Sequence, residues 1–153
     1  MEVLIFYSKR KPILNGAVGV DMNGQKNRMF PSEKQFSELL DKQHRIWQYP
    51  APRFRLNNTT YRPDFYLPKE NIYIEVVGTQ QAYEKNKEKL YKFRKIYPKI
   101  ILLVLDRNGI PVEKIAFKMG CSVATVMRWL KKESSPSPVE LKLLQRILRG
   151  YQN

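Results

Sequence analysis

Ile72-Tyr73-Ile74-Glu75-Val76-Val77 decides how this chain folds. Apolar residues occupy both alternating phases, so the predicted strand is buried on both faces of a sheet. Glu75 interrupts it, and a buried, unpaired carboxylate is costly unless it finds a proton, a cation partner or a metal. Upstream, Asp64–Leu67 predicts a neighbouring strand whose first residue can meet Glu75 across the sheet. A bent strand is expected before it, within Ile46–Leu56. Downstream, Thr79 caps a predicted helix that runs to about Ile96, just before Pro98, and buries Tyr83, Leu90 and Phe93. Ile100–Leu105 is apolar throughout and predicts the buried centre of the sheet.

An earlier helix opens at Pro31-Ser32-Glu33-Lys34-Gln35, with Ser32 the expected N-cap and Gln35 completing a capping box. Phe36, Leu39 and Leu40 form its apolar stripe, and Glu33 lies beside that stripe. Residues 31–106 therefore predict an α/β core in the order helix, three strands, helix, strand. Asp106-Arg107-Asn108-Gly109 predicts a turn and a domain boundary. Residues 1–30 carry the turn pairs Asn15-Gly16 and Asn23-Gly24 and predict a basic β arm.

Residues 107–153 predict a small all-α module in which Val112–Lys131 follows the helix-turn-helix pattern. Ala116 is small where two helices would cross, Gly120 can take positive φ in the turn, and Ser122 can cap the second helix. Ile115, Met119, Cys121, Val123, Val126 and Trp129 fall at apolar positions. Ser122, Ala124, Thr125, Met127, Arg128 and Lys131 are expected to face outward. In DNA-binding modules of this kind the first of these meet base edges and the later cations meet phosphates. A last helix starts at Ser137-Pro138-Val139-Glu140, with Leu141, Leu144, Ile147 and Leu148 on one apolar face and Gly150 at its end. The other use of such helices is as a packing module that never touches bases.

The chain has 153 residues, with 28 Lys+Arg against 14 Asp+Glu, for a formal charge of +14. Residues 1–30, 31–106 and 107–153 contribute +3, +5 and +6. Positive charge spread over a folded chain favours a polyanionic partner and a groove that tracks a phosphate backbone, rather than a basic tail. At 42% hydrophobic residues the chain is too apolar to be a disordered basic segment. No apolar run approaches the length of a membrane span, so a soluble cytoplasmic protein without a membrane partner is expected. One cysteine and one histidine exclude a disulfide framework and an all-Cys/His zinc site.

Asp64 and Glu75, converging with a backbone carbonyl and waters, make a hard-oxygen site suited to Mg²⁺. Such an ion activates water and stabilises charge that develops at phosphorus. The same residues serve plainer purposes equally well in isolation. Glu33 can be a helix N-terminal acid favoured by the dipole, Asp64 a turn residue, and Glu75 a buried partner for Arg62.

Taken in order, Ser32-Glu33-Lys34-Gln35-Phe36-Ser37-Glu38-Leu39-Leu40, Tyr61-Arg62-Pro63-Asp64-Phe65-Tyr66-Leu67-Pro68 and Ile74-Glu75-Val76-Val77-Gly78 resemble the PD-(D/E)XK nuclease superfamily. The resemblance covers roughly residues 31–106. It implies a restriction-endonuclease-like mixed sheet flanked by helices, and Mg²⁺-dependent hydrolysis of phosphodiester bonds in double-stranded DNA. Asp64 and Glu75 would hold the metal with the Val76 carbonyl, and Glu33 would act through water or the ion. One position departs. The family's lysine, two residues after the second acid, is Val77 here. Residues 75 and 77 share a strand face, so valine leaves that role unfilled. Family members that draw the substitute from the following helix direct attention to Gln80, Gln81, Lys85 and Lys87. Lys87 is the expected substitute, sharing a flank of the apolar stripe with Gln80.

Cutting both strands requires two active sites, so a homodimer or higher homo-oligomer on a near-palindromic site is expected. Combining cutting with sequence reading in a small chain resembles restriction and homing endonucleases. The alternatives are a non-catalytic DNA-binding regulator on a nuclease scaffold, which Val77 favours, and structure-selective cleavage of DNA junctions or RNA.

Overall fold

The computed structural model describes residues 28–150, so the expected basic arm lies outside the described residues except for its last three. Helix α1 spans Pro31–Lys42; β1, Phe54–Leu56; β2, Thr59–Tyr61; β3, Phe65–Leu67; and β4, Ile72–Val76. They are followed by α2, Gln80–Ile96; β5, Ile101–Leu105; α3, Val112–Met119; α4, Val123–Leu130; and α5, Pro138–Gly150. The described residues thus form a mixed α/β structure with five helices and two small sheets. None of the described helices is long and apolar enough to cross a membrane.

The main sheet has the order β3-β4-β5, with β3 antiparallel and β5 parallel to β4. Its centre is β4, not the β5 stretch that apolarity predicts. Strand β5 is apolar because both its faces are covered: Leu103 and Leu105 pack toward the α1 side, Leu102 and Val104 toward α2 and α3. The same alternation divides β4. Ile74 and Val76 join Phe36 and Leu40 of α1, while Tyr73, Glu75 and Val77 share the opposite phase, where Leu90 and Phe93 of α2 pack. Val77 extends the ladder past the strand end by donating its N–H to Leu105 O at 2.8 Å.

The bent strand expected within Ile46–Leu56 is broken into two pieces. Gln48 bridges Tyr66 beside β3, and Phe54–Leu56 turns back at Asn57, φ 51°, to pair antiparallel with Thr59–Tyr61. Pro50 and Pro52 between the pieces have no N–H to give a ladder. Helix α1 also starts earlier than expected. Phe30, not Ser32, is its N-cap, because Pro31 occupies the first helical position at no hydrogen-bond cost. Thr79 caps α2 as the sequence predicts, accepting from Ala82 N–H at 3.1 Å.

Asp106 shapes the turn before α3 by accepting from the Asn108 and Ile110 N–H groups, at 2.9 and 2.8 Å. This turn is not a break in packing. Val112, Ile115, Val126, Met127, Leu144 and Ile147 of the helical module share one apolar cluster with Leu90, Phe93, Leu102 and Val104. Helices α3 and α4 are joined through Gly120 at φ 66°, the left-handed conformation its missing side chain permits.

Candidate active site and nucleic-acid interface

The acids from α1, the β2–β3 connection and β4 are brought to one region by two local devices. Gly78 follows β4 immediately, and a Cβ built there would come within 2.8 Å of Ser32 Oγ. The missing side chain leaves room for Ser32, so the first turn of α1, with Glu33, packs against the end of β4. Asp64 directly precedes β3 and turns its side chain to β4, where Oδ2 accepts the Val76 N–H at 2.7 Å. That bond ties Asp64 to the residue next to Glu75.

Glu75 is buried, at 5% exposure, and both its oxygens are occupied. Tyr61 donates to Oε2 at 2.6 Å and Asn86 of α2 donates to Oε1 at 3.1 Å. Arg62, its alternative partner from the sequence, is exposed. Glu33 is buried too; its Oε2 accepts from Tyr49 Oη at 2.8 Å and from the Phe30 N–H at 3.0 Å. The second bond is the return half of a capping box, so Glu33 serves its helix and faces the other acids at once. None of the three acids makes a salt bridge among the described residues.

Crowding acids without a counter-cation raises their proton affinity. Burial pushes the Glu75 carboxyl up to about 7; the Glu33 charge adds to this, while the bonds from Tyr61 and Asn86 and the Lys89 charge pull the other way. Asp64 is held well above the carboxylate range by burial, then by the charges of Glu75 and Glu33, against the opposing Val76 N–H. Burial and the Glu75 charge keep the Tyr61 phenol protonated; burial and the Glu33 bond do the same for Tyr49. Both phenols are therefore committed donors.

No three Asp, Glu, His or Cys side chains close on one point among the described residues. Two carboxylates and a carbonyl are nonetheless a fitting donor set for Mg²⁺, which keeps several of its waters. Two crowded, uncompensated carboxylates are also what a divalent cation would relieve.

The helix after β4 contributes differently from expectation. Lys87 forms an ion pair with Glu84 and points along the outer surface of α2. Asn86 and Lys89, one helical turn apart, are the α2 residues that act on Glu75. Val77 is 1% exposed and belongs to the apolar core, so position 77 offers nothing polar. The sequence reading passed over Tyr61, Tyr49, Asn86 and Lys89. Spacing gave a signal for Asn86 and Lys89, which fall four and one residues before the buried Leu90.

On α4, Ser122 Oγ accepts the Thr125 N–H at 3.1 Å and caps the helix. Ser122, Arg128 and Lys131 are exposed, and Ala124 and Thr125 are half-buried. Arg128 reaches back to Thr125 Oγ1 at 3.4 Å. Met127, expected outside, is 4% exposed and lies in the core. Val123, Val126, Met127 and Leu130 make the inward stripe of this helix, the i, i+3, i+4, i+7 set, and Trp129 is pushed to its margin.

Comparison with protein-family models, with curated proteins and with solved structures found no match for this chain.

Proposed function

We propose that this chain is a Mg²⁺-dependent endonuclease that hydrolyses phosphodiester bonds of double-stranded DNA at specific sites, in the manner of restriction or homing enzymes. The observation that carries this reading is the meeting of half-buried Asp64 and buried Glu75 without a cationic salt-bridge partner among the described residues. The sequence resemblance to the PD-(D/E)XK superfamily, with its restriction-endonuclease-like core, supports it, as does the +14 charge.

Asp64, Glu75 and the Val76 carbonyl would hold the ion, which when bound lowers the pKa of water and offsets charge developing on the phosphate. Tyr61 and Asn86 fix the Glu75 carboxylate from two sides. The Val76 N–H fixes Asp64. Glu33, oriented by Tyr49, is placed to orient a water or take its proton. Ser122, Ala124, Thr125, Arg128 and Lys131 on α4 would engage DNA, the first three at bases and the two cations at phosphates. Double-strand cutting implies a homodimer or larger homo-oligomer.

The test is incubation of a randomised duplex library with the protein, in Mg²⁺ or EDTA, beside Glu75→Ala. Metal-dependent cuts at one recurring sequence, lost in the variant, are expected. A second reading, a DNA-binding regulator on a nuclease scaffold, is favoured by the apolar burial of Val77. Specific binding with no cleavage under any divalent ion would establish that reading and overturn the first.

A further inference from the structure

The β1–β2 hairpin has one face that the described residues leave uncovered. Phe54, Leu56 and Tyr61 point inward: Phe54 meets Tyr73, Phe93 and Tyr97 edge-on at centroid distances of 5.0, 4.9 and 5.2 Å. Tyr97 Oη also donates to the Arg55 carbonyl at 2.8 Å, which pins the ribbon to the end of α2. The opposite phase carries Arg55 and Thr60, paired across the ribbon, with Arg53 and Arg62 flanking the register at its base and Asn57-Asn58 at its tip. All six are exposed. Arg53, Arg55 and Arg62 make no salt bridge among the described residues, and none of the outward residues is acidic. Like charges brought together on one strand face are destabilising, and no salt bridge among the described residues offsets them.

This ribbon is coupled to the acidic site by its own chain. Tyr61, its last residue, bonds Glu75. Arg62 follows, and Asp64 stands two residues further on, at most about 7 Å of chain. A shallow concavity of about 470 Å³ lies against the ribbon, lined by Arg53, Phe54, Arg55 and residues 57–60. A two-stranded ribbon is one of the two elements that the DNA major groove admits, and arginine forks suit phosphate oxygens.

We infer that the outward face of the β1–β2 ribbon is a second duplex-DNA contact, in which Arg53, Arg55 and Arg62 hold the phosphate backbone. This rests on the nucleic-acid part of the proposed function but not on catalysis. The ribbon holds the backbone two residues along the chain from Asp64, while α4 engages the duplex elsewhere. The two surfaces thus divide positioning from sequence reading.

The experiment is titration of a fluorescent random duplex, in EDTA, across a salt series, so that a chain that never cleaves still reports. Replacing Arg53, Arg55 and Arg62 together by Ala is expected to weaken binding about tenfold or more and to lower the salt slope by about 2 to 3. Replacing all three by Lys should retain most of the slope. Removing three exposed lysines elsewhere, Lys42, Lys69 and Lys99, should leave it within about one unit, which separates a local contact from net charge. Because the arginines are exposed, the thermal midpoint should stay near wild type in every variant. Wild-type affinity and slope in the alanine variant would overturn the inference. So would binding of RNA with no binding of duplex DNA, or equal losses in the arginine and lysine sets. Because the titration is run in EDTA and reads binding alone, failed catalysis leaves its result unchanged, so failed catalysis and a failed ribbon give different patterns.

Discussion

Tyr61 donates its phenolic hydrogen to Glu75 Oε2 across 2.6 Å, joining the end of the hairpin to the acid at the centre of the sheet. The bond favours the carboxylate over the carboxylic acid, against burial. Tyr61→Phe therefore raises the proton affinity of Glu75 further. A hydrogen bond to a charged group is worth about 1.5–3 kcal/mol, which corresponds to one or two pH units. The pH profile of Mg²⁺-dependent cleavage should move upward by about one unit or more, with little loss at the alkaline plateau. An unmoved profile with a uniformly lower rate would assign Tyr61 a packing role only.

The acids also set how the metal-free protein responds to pH. Glu75 titrates near 7 when folded against an ordinary value of 4.5, so the folded state binds its proton more tightly. The stability this confers is present below pH 4.5 and is lost as pH rises through 7. Metal-free protein should thus melt lower at pH 8 than at pH 5. Mg²⁺ should raise the midpoint more at pH 8, where it need not displace a proton. Differential scanning fluorimetry checks both, and Glu75→Gln should flatten the pH slope. An equal Mg²⁺ effect at the two pH values would count against the acids as its ligands.

Much of this arrangement is legible in the sequence, and the misses have physical causes. Ile72–Val77 declares itself because two covered faces demand apolar residues at both phases, and Thr79 because a cap needs a side-chain oxygen. The hairpin does not declare itself. Its strands are three residues each, too short for alternation to stand out, and Thr59–Tyr61 falls between the bent strand expected within Ile46–Leu56 and the strand expected at Asp64–Leu67. Glu33, Asp64 and Glu75 stand out as acids beside apolar segments. Tyr61 and Tyr49 do not, because a tyrosine between Thr60 and Arg62, or between Gln48 and Pro50, carries no signal of a partner, and only the fold reveals where its hydroxyl ends. Lys87 and Lys89 differ by 200° around α2, an angle that decides which one acts on Glu75.

That angle gives a direct comparison. Lys87 is paired with Glu84 on the outer surface, so Lys87→Ala should leave cleavage within about twofold of wild type, as exposed pairs contribute little. Lys89 is exposed too and exerts the smallest of the influences on Glu75, so Lys89→Ala should lower the cleavage rate only about threefold. Single-turnover rates on one duplex distinguish them. The reverse order would restore Lys87 as the substitute for the lysine absent at Val77.

Gly78 is the position where packing and chemistry meet most closely. An added Cβ lies 2.8 Å from Ser32 Oγ and 3.0 Å from Ser32 Cβ, so Gly78→Ala crowds the Ser32 side chain and is expected to shift the first turn of α1 against β4. Overpacking of this kind costs about 1–3 kcal/mol. Because Glu33 follows Ser32, the displacement should reduce cleavage as well as stability. Ser32→Gly removes both clashing atoms, and the double variant should recover most of the lost stability, with a favourable interaction energy of about 1 kcal/mol or more in the cycle. Ser32→Gly alone should cost little, since Phe30 rather than Ser32 caps the helix. Additive losses in the double variant would mean that the two residues do not touch in solution, and Glu33 would then need another means of reaching Asp64.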